Sequence, residues 1–191
     1  MRVLGVDPGT LVVGYGCLEV ADAHAARRGG ARIANLVDLG AGGMRVVEAG
    51  VLRLGGKRLD LAERLRSLAD QMGALLDRLV PQELALEQAF LGKSVHAALR
   101  IGEARGVVLA EAGRRGIRVH HFAPARVKRA VAGHGTADKD AVAEMARRLL
   151  ALDRQPSPRD VSDALAVAIT RVEALRWERA TGGCIASERD V

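Results

Sequence analysis

The sequence predicts an α/β domain built on a five-stranded mixed sheet flanked by helices. Three features carry this reading. An apolar run, Val3-Leu4-Gly5-Val6, stops abruptly at Asp7-Pro8-Gly9 and reads as a buried strand entering a turn. Two further strand-like segments follow, and the pattern then changes to helix, strand, helix, strand and helices. Leu61, Leu65, Leu68, Met72, Leu75, Leu76 and Leu79 recur at steps of three and four, which gives the first helix one apolar face.

The elements follow in order. After the opening strand, Val12 to Val20 forms a second, with Gly14 and Gly16 thinning its middle. Ala21 to Arg45 is rich in Gly, Ala and Arg and reads as an enlarged hairpin or insertion. Val46 to Leu54 is the third strand, and Pro81 stops the helix that follows it. Leu84-Ala85-Leu86 is a short buried strand leading into Glu87. Ser94 to Arg115 is helical and full of small residues, Ile117 to Phe122 is the fifth strand, and Pro124 to Ala132 is a short helix. Gly133-His134-Gly135 breaks the chain, and Thr136 is placed to cap the next helix, with its stripe of Val142, Met145, Ala146, Leu149 and Leu150. Ser157 is expected to cap the last helix, with Pro158 at its first position and Val161, Leu165, Ala168, Ile169, Val172 and Leu175 facing inward. One domain is expected over 1–176, with 177–191 a mobile polar tail.

Composition narrows the class. A hydrophobic content of 49% excludes a wholly disordered chain, and no apolar run approaches the ~20 residues of a membrane span. No signal peptide precedes the first strand, and Cys17 and Cys184 lack metal-ligand spacing, so a reduced, cytoplasmic setting is expected. The net charge of +6 favours a polyanionic partner. Arginine supplies most of it; the only lysines are Lys57, Lys93, Lys128 and Lys139.

Asp7 and Glu87 share one logic, since each ends a short apolar strand with a carboxylate. If those strands are neighbours, the two acids face each other across one edge of the sheet. Asp160 and Asp163 lie three apart on a helix, about 60° on the wheel, and flank its apolar stripe. Four converging carboxylates repel unless a cation is bound, and oxygen-only ligation suits magnesium or manganese. Each acid also has a plainer explanation. Ser157 to Asp160 could be a capping box, Asp163 a first-turn acid favoured by the helix dipole, Glu87 a solvated strand end and Asp7 part of a turn.

Asp7-Pro8-Gly9-Thr10, Gly14-Tyr15-Gly16, Glu87-Gln88-Ala89-Phe90, Ala104-Arg105-Gly106 and Asp160-Val161-Ser162-Asp163-Ala164-Leu165-Ala166, in this order, closely resemble the RuvC family of crossover junction endodeoxyribonucleases. The resemblance runs from residue 1 to about residue 172 and takes in Val127-Lys128 and Val131 to Lys139. It implies an RNase H-like fold and a homodimer, paired through the Ser94 to Arg115 helix. It also implies magnesium-dependent resolution of four-way (Holliday) junctions in recombination and repair, with ligatable 5′-phosphate and 3′-hydroxyl ends. By the same resemblance the RuvA–RuvB branch-migration complex is a partner, and Asp7, Glu87, Asp160 and Asp163 are the catalytic acids. Two metals are expected per site, bridged by Asp7, with manganese able to substitute for magnesium. Phe90 is implied to be a loop ring stacking near the crossover. Lys93, Lys128, Thr136 and Lys139 are the candidate DNA contacts, lysine suiting phosphate. Two rival readings are an actin- or sugar-kinase-like ATPase, for which the chain looks short, and an RNase H-like binding protein without metals.

Overall fold

The computed structural model describes residues 1–21, 43–56, 59–88 and 95–182. Its strands are β1 (Arg2–Asp7), β2 (Val12–Val20), β3 (Met44–Arg53), β4 (Glu83–Glu87) and β5 (Arg118–Phe122). The helices are α1 (Leu61–Leu79), α2 (Val95–Arg114), α3 (Pro124–Ala132), α4 (Lys139–Leu149) and α5 (Arg159–Thr181). The sheet runs β3-β2-β1-β4-β5. β1, β2 and β3 pair antiparallel, whereas β4 and β5 join β1 in parallel, so the mixed sheet expected from the sequence is present.

Strand alternation divides the molecule into three layers. Leu4, Val6, Val13, Cys17, Leu84 and Leu86 point to one side and pack with α1 and α2. Val3, Leu18 and Ala85 point to the other and pack with α3, α4 and α5. Helix α5 lies between the sheet and α3 and α4, which is why it is buried all round its middle rather than along one stripe.

Contact between α5 and the sheet is made backbone to backbone. A Cβ at Gly5 would lie 2.0 Å from the Ala164 carbonyl oxygen, and one at Gly14 would lie 2.0 Å from that of Asp160. These glycines thin the sheet so that the start of α5 can lie directly on β1 and β2.

Three expectations are corrected. Asp138, not Thr136, caps α4, its carboxylate accepting from Ala141 N–H at 2.7 Å, while Thr136 Oγ1 meets His134 Nδ1 at 3.2 Å. Both residue types can cap, and the one adjacent to the first helical residue takes the role. Ser157 does not cap α5 either: the N-cap is Pro158, with no side-chain cap bond, and Ser162 Oγ instead donates to Pro156 O at 2.8 Å. Finally, α5 continues to Thr181, past the expected boundary at 176, with Trp177 exposed on it. The bulk of the expected 21–45 insertion and the end of the tail lie outside the described residues, although Met44 and Arg45 already belong to β3. Among the described residues no helix is long and apolar enough to cross a membrane.

Candidate active site

Asp7 is the last residue of β1 and Glu87 the last of the neighbouring parallel strand β4. By alternation Val3, Gly5 and Asp7 share a face, as do Glu83, Ala85 and Glu87, and it is the face on which α5 rests. Asp160 and Asp163 occupy the first turns of that helix, and Gly14, the partner of Asp7 in the β1–β2 ladder, seats Asp160 itself. The sheet thus delivers two acids and the helix two more to one edge.

The electrostatics register this convergence. Burial, followed by the charges of Asp163 and Glu87, pushes the Asp7 carboxyl up to about 7, against the opposing pull of Lys139; Asp160 adds to the rise. Burial and Asp163 also raise Glu87, partly offset by Lys139 and Lys128. Lys139, the first residue of α4, places Nζ 2.6 Å from Asp163 Oδ2, and this bond raises the lysine's own pKa. Because Ser157 makes no cap bond, the capping-box explanation of Asp160 falls away.

Lys128 lies on α3, close enough to act on Glu87, and Thr136 is exposed in the loop before α4. Phe90 and Lys93 lie outside the described residues. The sequence placed Arg105 in a family-like motif but assigned it no role in the site. This α2 residue donates to the Glu87 carbonyl and meets His121 Nδ1, and it lines a cleft with Asp7, Pro8, Glu87, Gln88, Ile101 and Pro124. The available signal was an arginine three residues before buried Val108, in a helix otherwise rich in small residues.

All four acids offer oxygen, a donor set matched to a hard divalent cation. Among the described residues no three His, Cys, Asp or Glu side chains are yet gathered closely enough to hold one ion, and Asp163 is engaged with Lys139. The chemistry of the donors therefore fits a metal, and closing on one requires carboxylate rotation and release or sharing of the Lys139 bond.

A five-stranded mixed sheet with acids brought to one edge by two strands and a crossing helix defines an RNase H-like domain with an acidic edge. Residues 30–171 match the family model for crossover junction endodeoxyribonuclease RuvC. The chain is 38% identical over 177 residues to the RuvC of Heliobacterium modesticaldum, covering 93% of this chain and 97% of the relative. Against that of Chloroflexus aurantiacus it is 41% identical over 169 residues, covering 88% and 91%. A Thermus thermophilus RuvC structure superimposes with a TM-score of 0.78 at 31% identity, over 93% of this chain and 96% of that one; the same values hold for that RuvC in complex with a Holliday junction substrate. The chain belongs to the RuvC family of crossover junction endodeoxyribonucleases.

Proposed function

We propose that this protein resolves four-way DNA junctions by paired, magnesium-dependent nicks in opposed strands, leaving 5′-phosphate and 3′-hydroxyl ends. The observation that carries this reading is the meeting of Asp7, Glu87, Asp160 and Asp163 at one sheet edge, where burial and then the neighbouring acids push Asp7 up to about 7. Similarity to the Thermus thermophilus RuvC in complex with a Holliday junction supports the substrate. Bound magnesium or manganese, two ions per site, would supply water activation and charge stabilisation at the leaving oxygen.

The chain's own groups do the rest. Asp7 and Glu87 fix the ligand set from the sheet, and Asp160 and Asp163 complete it from α5. Lys139 neutralises Asp163 until substrate and cation share the edge. Together with Lys128, Lys93 and Thr136 it contacts phosphate, and Phe90 stacks on an unpaired base at the crossover.

Paired cuts call for a two-fold assembly. Val95 and Leu99 are exposed on α2, and a Cβ at Gly102, Gly106 or Gly113 would meet nothing within 4 Å. Packing within one chain therefore does not demand these small residues, which supports α2 as the surface that pairs with a second copy. The RuvA–RuvB complex is the proposed partner on the junction, and the cytoplasm the proposed compartment.

The decisive experiment is incubation with a labelled mobile four-way junction, with and without magnesium. Paired, ligatable nicks that appear only with magnesium are expected. Binding without nicking at any divalent-ion concentration would leave a non-catalytic junction-binding protein, and junction-independent ATP turnover would favour the kinase-like reading.

A further inference from the structure

We propose that Arg105 is a positioning residue for Glu87, tying helix α2 to the end of β4 that carries the acid. The inference rests on the nuclease reading above. Glu87 closes β4, and strand ends fray unless something holds them. On one side the end is held by the sheet, Gln88 N–H donating to Phe122 O at 2.8 Å and Glu87 standing opposite Phe122 in the β4–β5 ladder. The Glu87 carbonyl itself accepts from Arg105 Nη1. Arg105 Nη2 meets Nδ1 of His121, the residue before Phe122 on β5.

One guanidinium therefore spans the last carbonyl of β4 and a side chain of β5. Its planar fork reaches two acceptors at once, which a single ammonium does less well. Arginine carries only donors, so His121 must present its Nδ1 lone pair and hold its proton on Nε2. Fixing the Glu87 carbonyl fixes the peptide plane at the strand end and so the direction in which the side chain leaves it. Arg105 and Ile101 line the cleft beside Asp7 and Glu87, while Val95 and Leu99 of the same helix are exposed. The helix offered to a second copy is thereby bonded directly to the acid edge.

The test uses the full chain and four variants: Arg105→Met, Arg105→Lys, His121→Leu and His121→Asn. Three quantities are measured: single-turnover cleavage at saturating junction, junction affinity in EDTA, and magnesium binding to the DNA-free protein by calorimetry. Arg105→Met is expected to lose about 10–100-fold in cleavage rate and to weaken magnesium binding, with junction affinity unchanged. Arg105→Lys should recover part of the rate. His121→Leu should fall in the same direction as Arg105→Met, and His121→Asn, whose amide oxygen replaces the acceptor, should regain most of the loss. If Arg105→Met fails to fold, the two His121 variants decide.

Wild-type rates in both His121 variants would overturn the proposal. So would a loss of junction affinity with a shallower salt dependence in Arg105→Met, which would make Arg105 a phosphate contact. A wild-type chain that binds magnesium but cuts no junction would refute the nuclease reading alone, and the magnesium titrations would still test the positioning role. Unaltered magnesium binding in Arg105→Met would then sink that role as well.

Discussion

The two ends of β4 carry the same residue type on the same face of the sheet, yet in opposite circumstances. Glu83, at the start, is fully buried and faced by basic side chains. Arg171 Nε lies 2.7 Å away, Arg118 Nη2 2.9 Å and His120 Nε2 3.6 Å, the last at ion-pair rather than hydrogen-bond range. Arg171 is in turn held by Glu178 at 2.7 Å. Burial alone would raise Glu83, but His120 and Arg171 bring it down to about 2. Glu87, at the other end, has acids for company, and burial and Asp163 raise it despite Lys139 and Lys128. Helix α5 serves both ends, with Arg171 for one and Asp160 and Asp163 for the other. Negative charge is matched within the chain where the strand begins and left in excess where it ends. That excess is what the proposed cation site would draw on.

The contrast breaks first at the acid edge. Asp7→Asn, Glu87→Gln, Asp160→Asn and Asp163→Asn should each cut junction cleavage by at least about 10³-fold, the loss of several kcal/mol of transition-state stabilisation, while junction binding persists. Single-turnover cleavage beside gel-shift affinity checks this; full nicking by any one variant would remove that residue from the site.

At the opposite end the effect should fall on stability. Arg171→Met leaves Glu83 buried without its main partner and should cost about 3–5 kcal/mol in urea unfolding, with cleavage per folded molecule preserved. The pH dependence has a definite sign. Glu83 has a lowered pKa, so its contribution to stability is present above its ordinary value of 4.5 and is lost as pH falls toward about 2. Arg171→Met should flatten that acid limb.

Asp7 carries the reverse sign. Its raised pKa means that the ionised form opposes folding, a penalty absent below 3.8, growing as pH rises and complete above about 7. Asp7→Asn should therefore stabilise the protein in EDTA above neutral pH, on the order of 1–2 kcal/mol or roughly 2–8 °C, with the gain vanishing in acid. Melting curves across pH would show it, and a loss of stability at high pH would contradict the charge excess. The smallest effect belongs to the lysines. Lys128→Ala or Lys139→Ala should weaken junction binding and reduce its salt slope by about one counterion each, read from affinities over a salt series.

Much of this arrangement was legible in the sequence wherever signals were local. The apolar runs that stop at Asp7 and Glu87 marked strand ends, and the leucine period marked α1. What escaped depended on distant partners. Gly14 and Gly16 looked like weak points in a strand, whereas Gly14 seats the Asp160 backbone and Gly16 the side chain of Leu165. Arg171 drew no notice in the sequence, because its partner Glu83 lies 88 residues away in the chain. Thr136 and Ser157 were sound capping types, but Asp138 stood two residues and Pro158 one residue closer to the helices. Arg105 bonds to a backbone carbonyl, and a carbonyl has no sequence signature.

The glycine seats under α5 bear on how such a protein can drift over evolutionary time. Because helix and sheet meet through main chain at Gly5 and Gly14, these two close approaches bear directly on the separation of Asp7 from Asp160 and Asp163. Leu165, seated on Gly16, adds one close side-chain contact to these two main-chain ones. A single methyl at either glycine acts as a wedge, lifting the helix and its two acids away from the strands with every carboxylate still present. A descendant of this lineage could keep all four carboxylates and fall silent through one alanine, so a search for active relatives should read the two glycines alongside the acids.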